Sequence, residues 1–340
     1  MTVTNVNLAL VGAGRIGNHH ARALAREVPG AVVTTVVDPR TEAAAALAAE
    51  LGAQPVSTID EAVADPDLDA VLITTPAALH APAIITAAKA AKHVFTEKPI
   101  TTTIEDAHAA IDACTRAGVR LQVGFNRRFA PGFAAAHAAV SDGRVGEVRQ
   151  MRSVTRDPGP FSVDPAKIAP WTMFLETLIH DFDTLLWLNP GAEVVSVTAH
   201  ADALVRPDAK PDGFIDTATV TLVFDTGAMA TAEACFEALY GYDVRGEVFG
   251  AKGMATAGCG RTSDMTYYGA DGASWDTSRK DTDLLHTAYV GELDAFVRSV
   301  RGENVDVPGA EAGLRALRVA RAAILSVREN RTVSLKEIAE

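Results

Sequence analysis

Short, nearly continuous apolar runs occupy residues 6–11, 31–37, 69–74 and 93–96. Such runs predict strands covered on both faces, as in a parallel sheet. Between them, 43–51, 82–91 and 104–117 are rich in Ala, Leu, Ile and Lys without internal Pro, and glycines close two of them at Gly52 and Gly118. These stretches predict helices. Strand alternating with helix implies a doubly wound parallel α/β sheet over residues 1–125. After Gly124 the pattern changes. Strand-like stretches at 148–155, 194–199, 218–224, 228–234 and 246–249 are separated by turn signals such as Asp225-Thr226-Gly227. They predict a second, α+β domain over 126–340, built on a largely antiparallel open sheet. One amphipathic helix, 174–188, interrupts it, and helices at 288–300 and 310–329 close the chain.

The first apolar run ends in Gly12-Ala13-Gly14-Arg15-Ile16-Gly17, a G-x-G-x-x-G placed between a strand and a helix. Gly12 permits the tight turn, Gly14 lets backbone approach a pyrophosphate, and Gly17 lets helix pack on strand. The N–H groups that open the helix, at Arg15 and Ile16, face the phosphates. Asp38 stands 21 residues beyond Gly17 at the end of the second strand, where a carboxylate accepts from a ribose diol and repels a 2′-phosphate. NAD is expected over NADP, although Arg40 offsets part of that charge. A lone glycine motif can also be only a tight turn; the strand before it and Asp38 after it favour the nucleotide.

Lys98, in Glu97-Lys98-Pro99, follows the strand 93–96 at the carboxyl edge where open α/β sheets bind ligands. An ammonium there can hold a substrate oxygen and stabilise a developing alkoxide; the plain alternative is a surface lysine. On helix 174–188, Glu176, His180, Asp183 and Trp187 fall at i, i+4, i+7 and i+11, away from an apolar side. An imidazole between two carboxylates suits a general base for alcohol oxidation. The alternatives are a solvated helix face with a Glu–His pair, or a metal site, for which a second histidine at ligand spacing is missing.

Composition narrows the partners. With 340 residues there is room for about two domains. Lys plus Arg number 31 against 43 Asp plus Glu, a formal charge of −12, which speaks against nucleic acid and anionic membrane as partners. Cys114, Cys235 and Cys259 form no CxxC pair, so neither a disulfide framework nor a cysteine zinc site is expected. Residues 1–11 carry no basic leader segment, and no apolar window is long enough to span a bilayer. A cytoplasmic protein is expected.

With the glycine motif, Glu97-Lys98-Pro99, Gly124-Phe125-Asn126-Arg127-Arg128-Phe129 and Ile179-His180-Asp181-Phe182-Asp183 in this order, the chain resembles the Gfo/Idh/MocA oxidoreductases, nearest their myo-inositol 2-dehydrogenase branch. The likeness continues through Tyr242-Asp243-Val244-Arg245, Glu247-Val248-Phe249-Gly250, Ala288-Tyr289 and Glu292-Leu293. The resemblance implies an NAD-binding Rossmann domain and a substrate-binding domain whose open sheet serves a homotetramer or homodimer, with no metal. It implies that Lys98, in a motif whose Lys–Pro peptide is often cis, and His180 are catalytic, with Glu176 at the place usually held by Asp. It adds Thr75, Pro76, His80, Glu97 and Lys98 to the cofactor contacts. The substrate contacts it implies are Lys98, Asn126, Arg127, Arg156, Asp157, Trp171, Glu176, His180 and Tyr242. Two departures, Glu176 for Asp and Trp171-Thr172-Met173-Phe174 where the family commonly has Gly-Gly, predict a reshaped pocket.

The function expected is NAD-dependent oxidation of a secondary hydroxyl on a cyclic polyol or sugar, or the reverse reduction. The alternative is an NAD-dependent glycoside hydrolase working through transient ring oxidation and elimination, on an anionic sugar if Arg127, Arg128, Arg156 and Lys167 face it. A redox-sensing module that holds NAD without turnover is the third reading; Lys98 and His180 together speak against it.

Overall fold

The apolar runs of the first third assemble as the pattern predicts. The computed structural model describes residues 4–159, 164–258, 260–263 and 265–338; Cys259 lies outside them. In chain order come β1 (Val6–Val11), α1 (Arg15–Glu27), β2 (Ala31–Val37), α2 (Thr41–Leu51), β3 (Gln54–Val56), α3 (Ile59–Val63), β4 (Ala70–Ile73), α4 (His80–Lys89), β5 (His93–Thr96), α5 (Ile104–Ala117) and β6 (Leu121–Val123). These strands pair in the order β3-β2-β1-β4-β5-β6, all parallel. The order reverses beside β1, where β2 lies on one side and β4 on the other, and open α/β sheets bind ligands at such a switch point. Every residue of β4 is buried, which is why its sequence does not alternate. The two strands absent from the sequence pattern, β3 and β6, have only three residues each.

The rest of the chain supplies α6 (Pro131–Ser141), β7 (Val148–Arg156), α7 (Leu178–Trp187), β8 (Val194–Asp202), β9 (Thr217–Phe224), β10 (Met229–Cys235), β11 (Asp243–Gly250), β12 (Met254–Ala257), β13 (Tyr267–Gly269), β14 (Gly272–Ser274), α8 (Asp281–Leu284), α9 (His286–Val300), α10 (Ala310–Glu329) and β15 (Val333–Ser334). A second sheet runs β12-β11-β7-β10-β9-β8-β15. Within it only β7 and β10 pair parallel, so the sheet is largely antiparallel, as expected. Its strands alternate: in β10, Ala230, Ala232 and Ala234 are buried while Met229, Thr231 and Glu233 are not. One face therefore packs and the other is open.

The chain divides into two units in a way the single boundary at 125/126 did not anticipate. One unit holds the residues up to Phe129 together with Thr287–Leu317; the other holds Ala130–His286 and the chain from Arg318 onward. The return of α9 has a clear physical cause. Leu293, Phe296 and Val297 share one apolar side at helical spacing and are buried in the same core as Leu8, Leu10, Leu72 and Phe95. The rings of Phe296 and Phe95 meet edge to face at 5.7 Å. Behind α9 the chain pairs with the first sheet, where Val123 N–H donates to Pro308 O at 2.8 Å.

Helix 174–188 is also not one regular helix. A π turn at Met173–Thr177 precedes α7, and Leu178 N–H donates to Met173 O across it. Glu176 and His180 therefore lie on either side of a change in helical period. Asp183, away from the apolar side in the sequence pattern, is buried, which excludes it from a solvated helix face, and Trp187 stacks on His137 at 4.1 Å.

Candidate active site

In the first unit the carboxyl ends of five strands present the predicted groups. After β1, Gly12 has φ +107°, and a Cβ there would stand 3.0 Å from backbone atoms of Thr74 and Thr75. A Cβ on Gly17 would collide with Gly12 O and lie 2.7 Å from Thr74 Oγ1. Thr74 Oγ1 holds the turn from the neighbouring strand by donating to Gly12 O at 2.8 Å. Gly14 is the N-cap of α1, and apart from adjoining backbone no atom of the described residues lies within 4 Å of where its Cβ would be. The first turn of α1, at Arg15 and Ile16, has neither a side-chain cap nor an acidic residue. Thr75 Oγ1 is buried without a hydrogen-bond partner among the described residues, and Pro76 beside it is exposed. An open cradle, an uncapped helix start and an orphaned hydroxyl fit a dinucleotide phosphate.

Asp38 is 4% exposed. Its carboxylate accepts from Ala13 N–H at 2.9 Å and from Arg40 N–H, Nε and Nη2 at 2.9, 3.0 and 3.0 Å. The Arg40 guanidinium holds this carboxyl below the usual carboxylate range, against the effect of burial. Lys98 follows β5 half-buried, and the Lys98–Pro99 peptide is cis, as the resemblance implied. Asn126 and Arg127 follow β6 in a 3₁₀ turn and are both buried; Asn126 Oδ1 has no hydrogen-bond partner among the described residues.

Two groups expected at the cofactor engage the protein instead. His80 Nδ1 meets Pro99 O at 2.7 Å and Nε2 meets Thr75 O at 2.9 Å, so the buried ring ties the loops after β4 and β5 together. Burial lowers its pKa, against the pull of those two carbonyls. Glu97 turns its carboxylate into the core, where Oε1 lies 2.7 Å from His20 Nε2. Sequence reasoning missed His20; its signal was a position three residues beyond Gly17, on the buried side of α1.

In the second unit His180 is half-buried on α7 and Glu176 is exposed on the π turn. The helix is pinned by Asp181, which accepts from Ser153 Oγ at 2.5 Å and Thr155 Oγ1 at 2.6 Å on β7. This second missed residue was visible only as a member of the Ile179–Asp183 motif. Trp171 is half-buried with φ +66°, a conformation uncommon for a bulky residue. Arg156, expected at the substrate, sits in an ionic cluster, 3.6 Å from Glu233 and 3.7 Å from Asp243. Asp157 continues the sheet, its N–H donating to Cys235 O at 2.9 Å. Tyr242, half-buried, donates its N–H to Ser278 O at 2.7 Å.

By its strand order and glycine turn the first unit is a dinucleotide-binding Rossmann domain, and its cofactor is NAD. The chain belongs to the Gfo/Idh/MocA oxidoreductases: residues 6–125 match the family's NAD-binding Rossmann fold and residues 133–256 its C-terminal domain. It is 37% identical to a scyllo-inositol 2-dehydrogenase (NAD(+)) of Bacillus subtilis over 87% of this chain and 86% of that one. It is 32% identical to a myo-inositol 2-dehydrogenase of Thermotoga maritima over 98% and 99% of the two chains. The structure of a Lactobacillus casei scyllo-inositol dehydrogenase with bound NAD(H) and scyllo-inositol superposes with TM-score 0.93 at 28% identity, covering 98% of this chain and 100% of that one. The protein is an NAD-dependent oxidoreductase.

Proposed function

We propose that this enzyme oxidises a secondary hydroxyl of an inositol-like cyclic polyol with NAD, or runs the reverse reduction. One observation carries the reading: near-full-length likeness to inositol dehydrogenases, in a chain that has Lys98 at the strand end and His180 on the helix. When bound, NAD supplies the hydride acceptor. An imidazole nitrogen of His180 takes the hydroxyl proton as the carbon loses its hydride. Lys98 Nζ donates to the reacting oxygen, and Glu176 orients these groups. The orphaned Asn126 Oδ1 accepts from a further substrate hydroxyl. Trp171 and Glu176 shape the wall that selects among polyols.

The test is a panel of inositols and pyranoses with NAD, read by NADH absorbance. His180→Ala should lower kcat by about 100-fold or more, the usual scale for losing an acid/base. A loss under about threefold refutes the assignment. The relatives named above are dehydrogenases and lend the hydrolase alternative no support; release of aglycone from a chromogenic glycoside without net NADH would revive it. We further infer a cytoplasmic homotetramer or homodimer with no nucleic-acid or membrane partner. The charge of −12 supports this reading, as does the open sheet face, and light scattering measures the assembly. Among the described residues no helix is long and apolar enough to cross a membrane.

A further inference from the structure

Inside the first unit three ionisable side chains meet out of reach of water. His20, Glu97 and Glu292 are 0%, 6% and 0% exposed, and one polar atom from each lies within 4.8 Å of the others. The His20 ring is boxed by Phe95 and Tyr289, with centroids at 5.8 and 5.5 Å. Its Nε2 lies 2.7 Å from Glu97 Oε1, while the other oxygen of Glu97 accepts the Lys98 backbone N–H at 3.1 Å. Gly124 leaves room for this carboxylate, since a Cβ there would stand 3.3 Å from Glu97 Cδ. Glu292 comes from α9, whose backbone is fixed by Gln122 Nε2 donating to Glu292 O at 2.9 Å. Neither carboxyl oxygen of Glu292 has a hydrogen-bond partner among the described residues.

We propose that His20, Glu97 and Glu292 form a buried cluster that positions Lys98, with Glu292 acting as a neutral acid beside the Glu97 carboxylate. The inference rests on the role given to Lys98 above. Two carboxyls this close in an apolar setting do not both ionise. Glu97 has the donors, from His20 and from the Lys98 backbone, and so carries the charge. Burial works against it, but the His20 hydrogen bond, the Lys98 ammonium and the Lys98 backbone N–H hold its carboxyl below the usual range. Glu292 has no such donors; burial first, then the Glu97 charge, push its carboxyl well above the usual range. Among the described residues the Nδ1 of His20 is buried without a partner, so we assign the ring proton to Nε2, facing Glu97.

The consequence falls on Lys98. One negative charge behind the loop balances one ammonium, and the carboxylate that carries it also grips the lysine's own peptide. A second charge, on Glu292, would draw the ammonium back toward the core and away from the reacting oxygen. These are positioning residues. A cation at the same place would have to displace the 2.7 Å His20–Glu97 contact.

The test uses the full-length enzyme. Near neutral pH, the infrared difference between wild type and Glu292→Gln should contain the carbonyl stretch of a protonated carboxylic acid. Its absence overturns the proposal whatever Lys98 does. In steady-state kinetics, His20→Leu, which removes the donor to Glu97, should lower kcat by about tenfold or more while KM for NAD stays within about threefold. Glu292→Gln, which keeps the position neutral, should retain at least about a third of wild-type kcat. Lower thermal stability with unchanged kcat would reduce the cluster to packing and overturn positioning, and so would an effect confined to KM for NAD. If His20→Leu does not fold, the infrared band and the kcat of Glu292→Gln decide. If Lys98→Ala itself turns over like wild type, the role of Lys98 fails and positioning falls with it, while the infrared band still reports on the cluster alone.

Discussion

Replacing Asp38 with alanine probes the adenosine end of the site. In the structure the carboxylate accepts from Ala13 N–H and from the Arg40 backbone and guanidinium at 2.9–3.0 Å. The Arg40 side chain is 67% exposed, so its screened pairing with Asp38 is weak and yields readily to a ribose diol. Hydrogen bonding to a charged, otherwise buried acceptor contributes about 1.5–3 kcal/mol. Asp38→Ala should therefore raise KM for NAD by roughly 10- to 150-fold. A second effect follows from charge. A 2′-phosphate at about 4 Å from this carboxylate, at an effective dielectric near 20, meets a repulsion of at most about 4 kcal/mol. The substitution removes that repulsion and leaves Arg40 in place, so turnover with NADP should rise as turnover with NAD falls. Initial rates with both nucleotides at saturating polyol measure this, with thermal melting to verify the fold. A folded variant whose KM for NAD stays within about twofold, with NADP turnover no higher than in wild type, would refute the reasoning.

Three further outcomes are expected. Phe296→Ala should cost about 3–5 kcal/mol in urea unfolding, because the ring is fully buried against Phe95; a cost below about 1 kcal/mol would deny α9 its place in the core. The buried His80 has a folded-state pKa below its unfolded value of about 6.5, so the unfolded chain binds the proton first and stability falls as pH drops below about 6.5. His80→Gln should flatten that slope in unfolding measured across the acidic range, and an unchanged slope would place the titration elsewhere. Burial pushes the Cys114 thiol up to about 11, so at pH 8 its thiolate fraction is about 10⁻³ and a disulfide reagent should label it at least about 100-fold more slowly than a free thiol. Rapid labelling of Cys114, identified by mass spectrometry, would contradict its burial.

Local pattern carried much of the architecture. Four of the six parallel strands, the glycine turn, Asp38 at the end of β2 and the place of Lys98 after β5 were legible because each depends on neighbours close in sequence. A strand buried on both faces must be apolar throughout, and a turn that backbone crosses closely must be glycine, so both constraints are written residue by residue. The three-residue strands β3 and β6 were not legible, since runs that short carry no periodicity.

What the tertiary structure alone decided concerns partners distant in the chain. The return of α9 to the first unit depends on which apolar core its Leu293–Phe296–Val297 side meets, and an amphipathic pattern specifies burial without specifying against what. The π turn before α7 changed the relation of Glu176 to His180, because one extra residue per turn leaves no mark in composition. The carboxylate of Glu97 was expected at the cofactor, yet it faces His20, 77 positions away. Sequence reasoning singled out Glu97 but not the His20 it meets. Folding decided which ionisable residues met without water, and so which of them keep their charge.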